Sequence, residues 1–158
     1  MPKLAAHIDS TQQSVDSRDI QRYVKRIAAP LVERAREDRP GVSYRFTVLD
    51  DPAQVNAFAA PGGFLYVYSG LIVAAEDEAE LAGVLAHEIG HIVGRLSANQ
   101  LASKLGLLLI SAIALGEDAS EYAVYIANVT AQLSRDDPYG LRYVVESGYD
   151  PRAISAFL

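Results

Sequence analysis

The stretch from Asp77 to Gly94 constrains this chain most, because it reads as one helix with two differently occupied faces. Asp77 is a good N-cap with Glu80 three residues on, and the acidic run Glu76-Asp77-Glu78-Ala79-Glu80 suits the positive end of a helix. Leu81, Leu85, Ile89, Ile92 and Leu96 recur at helical spacing and predict a core-facing stripe. The same helix carries His87-Glu88-Ile89-Gly90-His91, the pattern H-E-x-x-H. Residues four apart share a helix face with Cβ atoms roughly 5–6 Å apart. Two imidazoles so placed can converge on one Zn²⁺ at about 2.0–2.1 Å each. Glu88 falls about 100° round the helix from His87, beside such a metal rather than on it. A carboxylate there can take a proton from an attacking water, the use zinc proteases make of this pattern. Five residues can also match by chance, so the context has to decide.

Gly83, Gly90 and Gly94 lie within about 40° of one another on the helical wheel, adjacent to His87. Each glycine inside a helix costs about 1 kcal/mol relative to alanine. Three on one face predict close approach of another segment beside the histidines, the route by which a third metal ligand would arrive. Tight helix packing without a metal is the other reading.

The rest of the chain supplies a small α+β frame. Residues 1–13 are polar and predicted to fray, with His7 a solvated tail residue. From about Ser14 to Asp38, Ile20, Tyr23, Val24, Ile27, Leu31 and Ala35 recur at helical spacing, with a kink or break expected at Pro30 and Arg39-Pro40-Gly41 ending the segment. Ser43 to Val48 alternates polar and apolar residues, as a half-buried strand does. Asn56 to Ala60 and Phe64 to Tyr68 flank Pro61-Gly62-Gly63, a hairpin or tight strand connection. An exposed strand edge just before the His pair could bind a peptide by backbone hydrogen bonds, as an added strand. Asn99 to Leu115, apolar from Leu105 for roughly eleven residues, reads as a buried or partner-facing helix, short of the 20 or so residues that cross a bilayer. Ser120 to Leu133 reads as a further helix, residues 134–140 as a polar turn, and Leu141 to Ser147 as a short helix stopped by Gly148. Asp150-Pro151 opens a last helix, cut short.

Composition removes several function classes. With 158 residues, one domain is the default. The net charge of −6, with no basic stripe, argues against a nucleic-acid partner. No cysteine is present, which excludes a disulfide framework, an iron–sulfur cluster and a thiol nucleophile. The first residues lack the apolar core of a secretory signal, so an exported protein would carry it ahead of this sequence.

Taken in order, these segments resemble the zinc metallopeptidases of family forty-eight, the HtpX-like and BepA-like peptidases. The resemblance runs from about Ile20 to Pro151. It is carried by Asn56-Ala57-Phe58-Ala59 with Pro61-Gly62-Gly63, by Ser69-Gly70-Leu71, by Glu80 through His91, and by Glu146-Ser147-Gly148-Tyr149-Asp150-Pro151. It implies an α+β, zincin-like metallopeptidase domain over residues 1–158, a small sheet packed on helices with a central H-E-x-x-H helix. It implies one Zn²⁺ per chain bound by His87 and His91, with Glu88 as general base. The expected reaction is hydrolysis of peptide bonds in unfolded or membrane-associated proteins, within protein quality control. It also implies a periplasmic or cell-envelope location and association with a membrane or membrane protein.

One departure from the family pattern bears on the site. Family members usually carry Ser-Arg, a Glu three residues after the Arg that is their third zinc ligand, and an Asp four residues after that Glu. Here Ser134-Arg135 runs almost directly into Asp136-Asp137-Pro138-Tyr139-Gly140. Asp137 matches the family's Asp, and by that resemblance would orient His87 or His91 through the ring nitrogen not on the metal. The segment holding the ligand Glu has no counterpart, and Leu96 stands where many members have His. Three explanations stay open: the natural chain contains a segment absent from this sequence, Asp136 or Asp137 substitutes as an oxygen ligand, or the site is incomplete. The last would make the chain a metallopeptidase-like domain that binds clients without cutting them. Glu146 is expected on a solvated face.

Overall fold

A computed structural model describes residues 3–60, 62–94 and 139–150. The described part is α+β, with helices α1 (Lys3–Thr11), α2 (Arg18–Asp38), α3 (Ser69–Ala74), α4 (Glu78–Val93) and α5 (Gly140–Glu146). Strands β1 (Arg45–Leu49), β2 (Ala57–Ala60) and β3 (Phe64–Tyr68) form one sheet in the order β1-β3-β2. β2 and β3 are the antiparallel hairpin expected around Gly62-Gly63, with Phe58 opposite Tyr66, while β1 runs parallel to β3 with Arg45 opposite Phe64. Gly62 and Gly63 take φ of +99° and +88°, which lets the hairpin turn without a Cβ penalty.

Strand alternation sorts the sheet's side chains into two buried layers. Val48, Ala57, Ala59, Leu65 and Val67 face α2, α4 and α5, whose Ile27, Leu31, Leu81, Leu85, Ile89 and Tyr143 complete the main core. Leu49, Phe58, Ala60, Phe64, Tyr66 and Tyr68 face the other way and are covered by Ala5 and Ile8 of α1. Phe58 stacks on its cross-strand partner Tyr66 with ring centroids 5.1 Å apart. The Tyr66 hydroxyl donates to Asp9 Oδ1 at 3.0 Å.

Two expectations need correction. Residues 3–11 are helical rather than frayed, because Ala5 and Ile8, three apart, bury against an aromatic sheet face that would otherwise meet water. His7 is exposed, on the far side of that helix. α2 runs uninterrupted through Pro30, and it starts at Arg18 behind the N-cap Ser17, whose hydroxyl accepts from Ile20 N. Proline removes one backbone hydrogen bond, while Ile27, Ala28, Leu31 and Val32 on either side of it are buried and hold the helix together. The helices expected between Asn99 and Leu133, the turn at 134–138 and the helix opened by Asp150-Pro151 lie outside the described residues. No helix among the described residues is long and apolar enough to cross a membrane.

Candidate metal centre

α4 begins where its sequence says it should. Asp77 Oδ1 accepts from Glu80 N at 2.9 Å, and Glu80 Oε2 in turn accepts from Glu76 N at 2.8 Å, a capping box shifted back by one residue. Leu81, Val84, Leu85 and Ile89 anchor the helix in the main core. The rotation fixed at the N-terminus therefore determines where the next two turns aim His87, Glu88 and His91.

The far end is held by charge. Arg39, directly after α2, donates through its guanidinium to Ile92 O in the last turn of α4, a cation at the negative end of a helix. Next to it, Asp38 accepts from the guanidinium of Arg142 and, at 2.6 Å, from the hydroxyl of the fully buried Tyr143. Burial pushes the Tyr143 phenol above its usual pKa and the bond to Asp38 adds to the rise, against an opposing pull from Arg142. Gly94 ends α4, and a Cβ there would meet Tyr139 at 4.0 Å. The start of α5 therefore meets that glycine at ordinary van der Waals distance, not at the close approach expected.

His87 and His91 point toward each other. Their Nε2 atoms are 2.9 Å apart and their ring centroids 4.1 Å apart, with the planes inclined at 70°. One potential ligand atom from each of His87, Glu88 and His91 lies within 4.8 Å of the other two. His87 and Glu88 are buried at 3% and 5% exposure, and His91 is half-buried. Two nitrogens sharing a tetrahedral ion at about 2.0–2.1 Å would stand roughly 3.3 Å apart. The observed separation of 2.9 Å is slightly shorter than that. Among the described residues this is the only group of three His or acidic side chains that could hold a metal ion. The two imidazoles are donors that suit zinc, with the Glu88 carboxylate beside them.

Glu88 has a partner that the sequence did not announce. Its Oε2 accepts from the backbone N–H of Ala59 at 3.1 Å, tying α4 to β2. Asn56 O accepts from Tyr68 N, so by strand alternation Phe58 and Ala60 bond to β3 while Ala57 and Ala59 turn their amides outward. β2 is the edge of the sheet, so Glu88 sits between an outward-facing strand edge and the histidine pair. The strand pattern placed the edge before the motif, but only the packing of α4 on β2 shows which amide meets the carboxylate. Arg39 was likewise legible only as part of a helix stop. Glu146 is exposed as expected, 4.0 Å from both Arg34 and Arg142. Leu96, Arg135, Asp136 and Asp137 lie outside the described residues.

Comparison with known proteins places the chain among related sequences. The sequence profile described as Peptidase family M48 matches residues 15–158. A putative beta-barrel assembly-enhancing protease of Vibrio cholerae is 27% identical over 168 aligned residues, covering 94% of this chain and 34% of that protein. Mitochondrial metalloendopeptidase OMA1 of Arabidopsis thaliana is 30% identical over 119 residues, covering 71% of this chain and 24% of that protein. The beta-barrel assembly-enhancing protease of Yersinia pestis is 28% identical over 155 residues, 86% of this chain and 31% of that protein. The chain thus spans a quarter to a third of the length of these relatives.

Proposed function

Starting from a chain that belongs to Peptidase family M48, a family of zinc metallopeptidases, we propose that residues 1–158 form the catalytic domain of a zinc-dependent endopeptidase, zincin-like and built round α4. His87 and His91 would hold one Zn²⁺, and Glu88 would be the general base. The observation that carries this reading is the convergence of two histidine Nε2 atoms at 2.9 Å, buried beside a carboxylate that already reaches a strand edge. When bound there, zinc supplies a Lewis acid that polarises the scissile carbonyl and acidifies a water. Glu88 takes the proton of the attacking water and returns it to the leaving amine. A peptide carbonyl that adds to the β2 edge would compete for the Ala59 N–H, and Glu88 would then be released from that bond just as substrate arrives. Asp137 would orient one of the histidines.

Polypeptides that are unfolded or membrane-associated, a role in protein quality control, and a periplasmic or cell-envelope site of action complete the proposal. Their support is the family and the names of relatives, two of which are called beta-barrel assembly-enhancing proteases. Casein cleavage by the zinc-loaded protein tests it. Glu88→Gln should keep near one zinc per chain and lose about 10²–10⁴ in rate, the usual share of a general base. Equal cleavage by both proteins refutes the role of Glu88. A second reading is favoured by the missing counterpart of the ligand Glu between Arg135 and Asp137: a domain that binds clients without cutting them. It predicts casein binding with no cleavage by either protein.

A further inference from the structure

The sheet has a second edge, on β1, at the far side from the strand that meets Glu88. Part of it is covered by the chain itself. Val15 N donates to Val48 O and Asp50 N to Gln13 O, both at 2.8 Å, so residues 13–15 lie antiparallel along 48–50. The Gln21 side-chain amide then accepts from Val48 N at 3.0 Å and donates to Val48 O at 3.2 Å, standing in for one more strand residue. Among the described residues the cover stops there, because Ser17 caps α2 and the chain turns away.

Arg45 N donates to Gly63 O of the neighbouring strand connection. In a parallel pair every second residue makes both bonds to the partner, so Arg45 and Thr47 face β3 while Tyr44 and Phe46 turn N–H and C=O outward. Those outward groups border an open groove of about 510 Å³ between α2 and β1. Lys25, Arg36 and Arg45 line it, against a single acid, Glu33. Among the described residues none of these three cations has an ion-pair partner, although the whole chain carries −6. Lys25 and Arg36 come from α2 on the core side of the sheet. Arg45 lies on the opposite face, its guanidinium 5.5 Å from the Phe64 ring centroid. The hydroxyl of Tyr44, also in the groove wall, is buried without a hydrogen-bond partner.

We infer that the β1 edge at Tyr44–Phe46 is a docking site for an acidic, extended polypeptide segment of a partner protein, added as a fourth strand. Strand addition would satisfy the outward amides and carbonyls. Carboxylates alternating across such a strand would meet Lys25 and Arg36 on one face and Arg45 on the other. A flat anionic polymer could neutralise the cations but would leave the backbone edge unused.

The test uses a fluorescein-labelled peptide, Val-Asp-Glu-Thr-Asp-Glu, and fluorescence anisotropy on the metal-free Glu88→Gln protein, so that neither zinc nor cleavage enters. Binding should weaken at least tenfold in the triple variant Lys25→Glu, Arg36→Glu, Arg45→Glu, measured at a temperature where circular dichroism shows that variant fully folded. Two further peptides, N-methylated at residues 2 and 4 or at 3 and 5, read the strand geometry. One should lose at least tenfold in affinity and the other stay within threefold. Absence of binding, equal affinity of the two methylated peptides, or a triple variant within twofold of the parent would each overturn the inference. Displacement of the peptide by a single-stranded oligonucleotide of equal charge at equal concentration would overturn the choice of partner.

Discussion

Replacing Gly63 with alanine perturbs the hairpin that presents β2 to Glu88, and the cost can be worked from the coordinates. At φ +88° a side chain pays roughly 1–2 kcal/mol for the left-handed backbone. The new Cβ would also lie 2.2 Å from Ser43 O and 3.1 Å from Val42 Cγ1. Both neighbours belong to the chain leading into β1, and the closer one is backbone. That segment must shift, and the 2.8 Å bond from Arg45 N to Gly63 O goes with it, another 0.5–1.5 kcal/mol or so. The sum is about 1.5–3.5 kcal/mol. At roughly 2–4 °C per kcal/mol for a chain of this size, the melting temperature should fall by about 3–14 °C. Gly41→Ala is the control, because Gly41 has the same φ of +88° with nothing within 4 Å of its Cβ. It should cost only the backbone share, about 1–2 kcal/mol. Urea unfolding followed by circular dichroism measures both. If Gly63→Ala is no worse than Gly41→Ala, the parallel packing of β1 against the hairpin is not as described.

Two further outcomes follow from the contacts that hold α2, α4 and α5 together. Burial, then the bond to Asp38, raises the Tyr143 pKa, and burial with the bond to Asp9 raises that of Tyr66. A raised pKa means the folded state holds the proton more tightly, so this stabilisation is whole below about pH 10 and is lost as pH climbs toward the folded value. Unfolding free energies should fall above pH 10, and less steeply in Tyr143→Phe. That variant should start about 1–2 kcal/mol lower at pH 8, since Asp38 is exposed and its bond partly screened; an unchanged slope would contradict the assignment. Arg39→Met should cost about 1–2 kcal/mol, a charge-assisted bond to Ile92 O at a half-buried site. It should also speed amide exchange in the last turn of α4, whereas Arg39→Lys should restore part of the protection.

Much of this architecture could be read from residue patterns, for reasons that differ by element. α4 was legible because its cap and apolar stripe are local: Asp77 caps it, and Leu81, Leu85 and Ile89 are buried in the main core. The β2–β3 hairpin was legible from two apolar runs around Gly62-Gly63. α1 was not, since Ala5 and Ile8, with the partly buried Leu4, are few apolar contacts in a short stretch; the aromatic face that orders them is built from β2 and β3, some fifty residues later. Pro30 misled in the opposite direction, because a local penalty was outweighed by burial on both sides of it. At the candidate site, the histidine pair followed from i, i+4 spacing alone. The bond from Ala59 N–H to Glu88 and the grip of Arg39 on Ile92 O join residues far apart in sequence, so no local pattern could signal them.

The account turns on His87 and His91 sharing a metal ion. Equilibrium dialysis against zinc, with bound metal counted by mass spectrometry, measures this for the parent protein, for His87→Ala and for His91→Ala. Close to one tightly bound zinc per parent chain is expected, with occupancy near zero in either variant while each keeps its fold. Undiminished zinc in either variant would place the metal elsewhere and contradict the account.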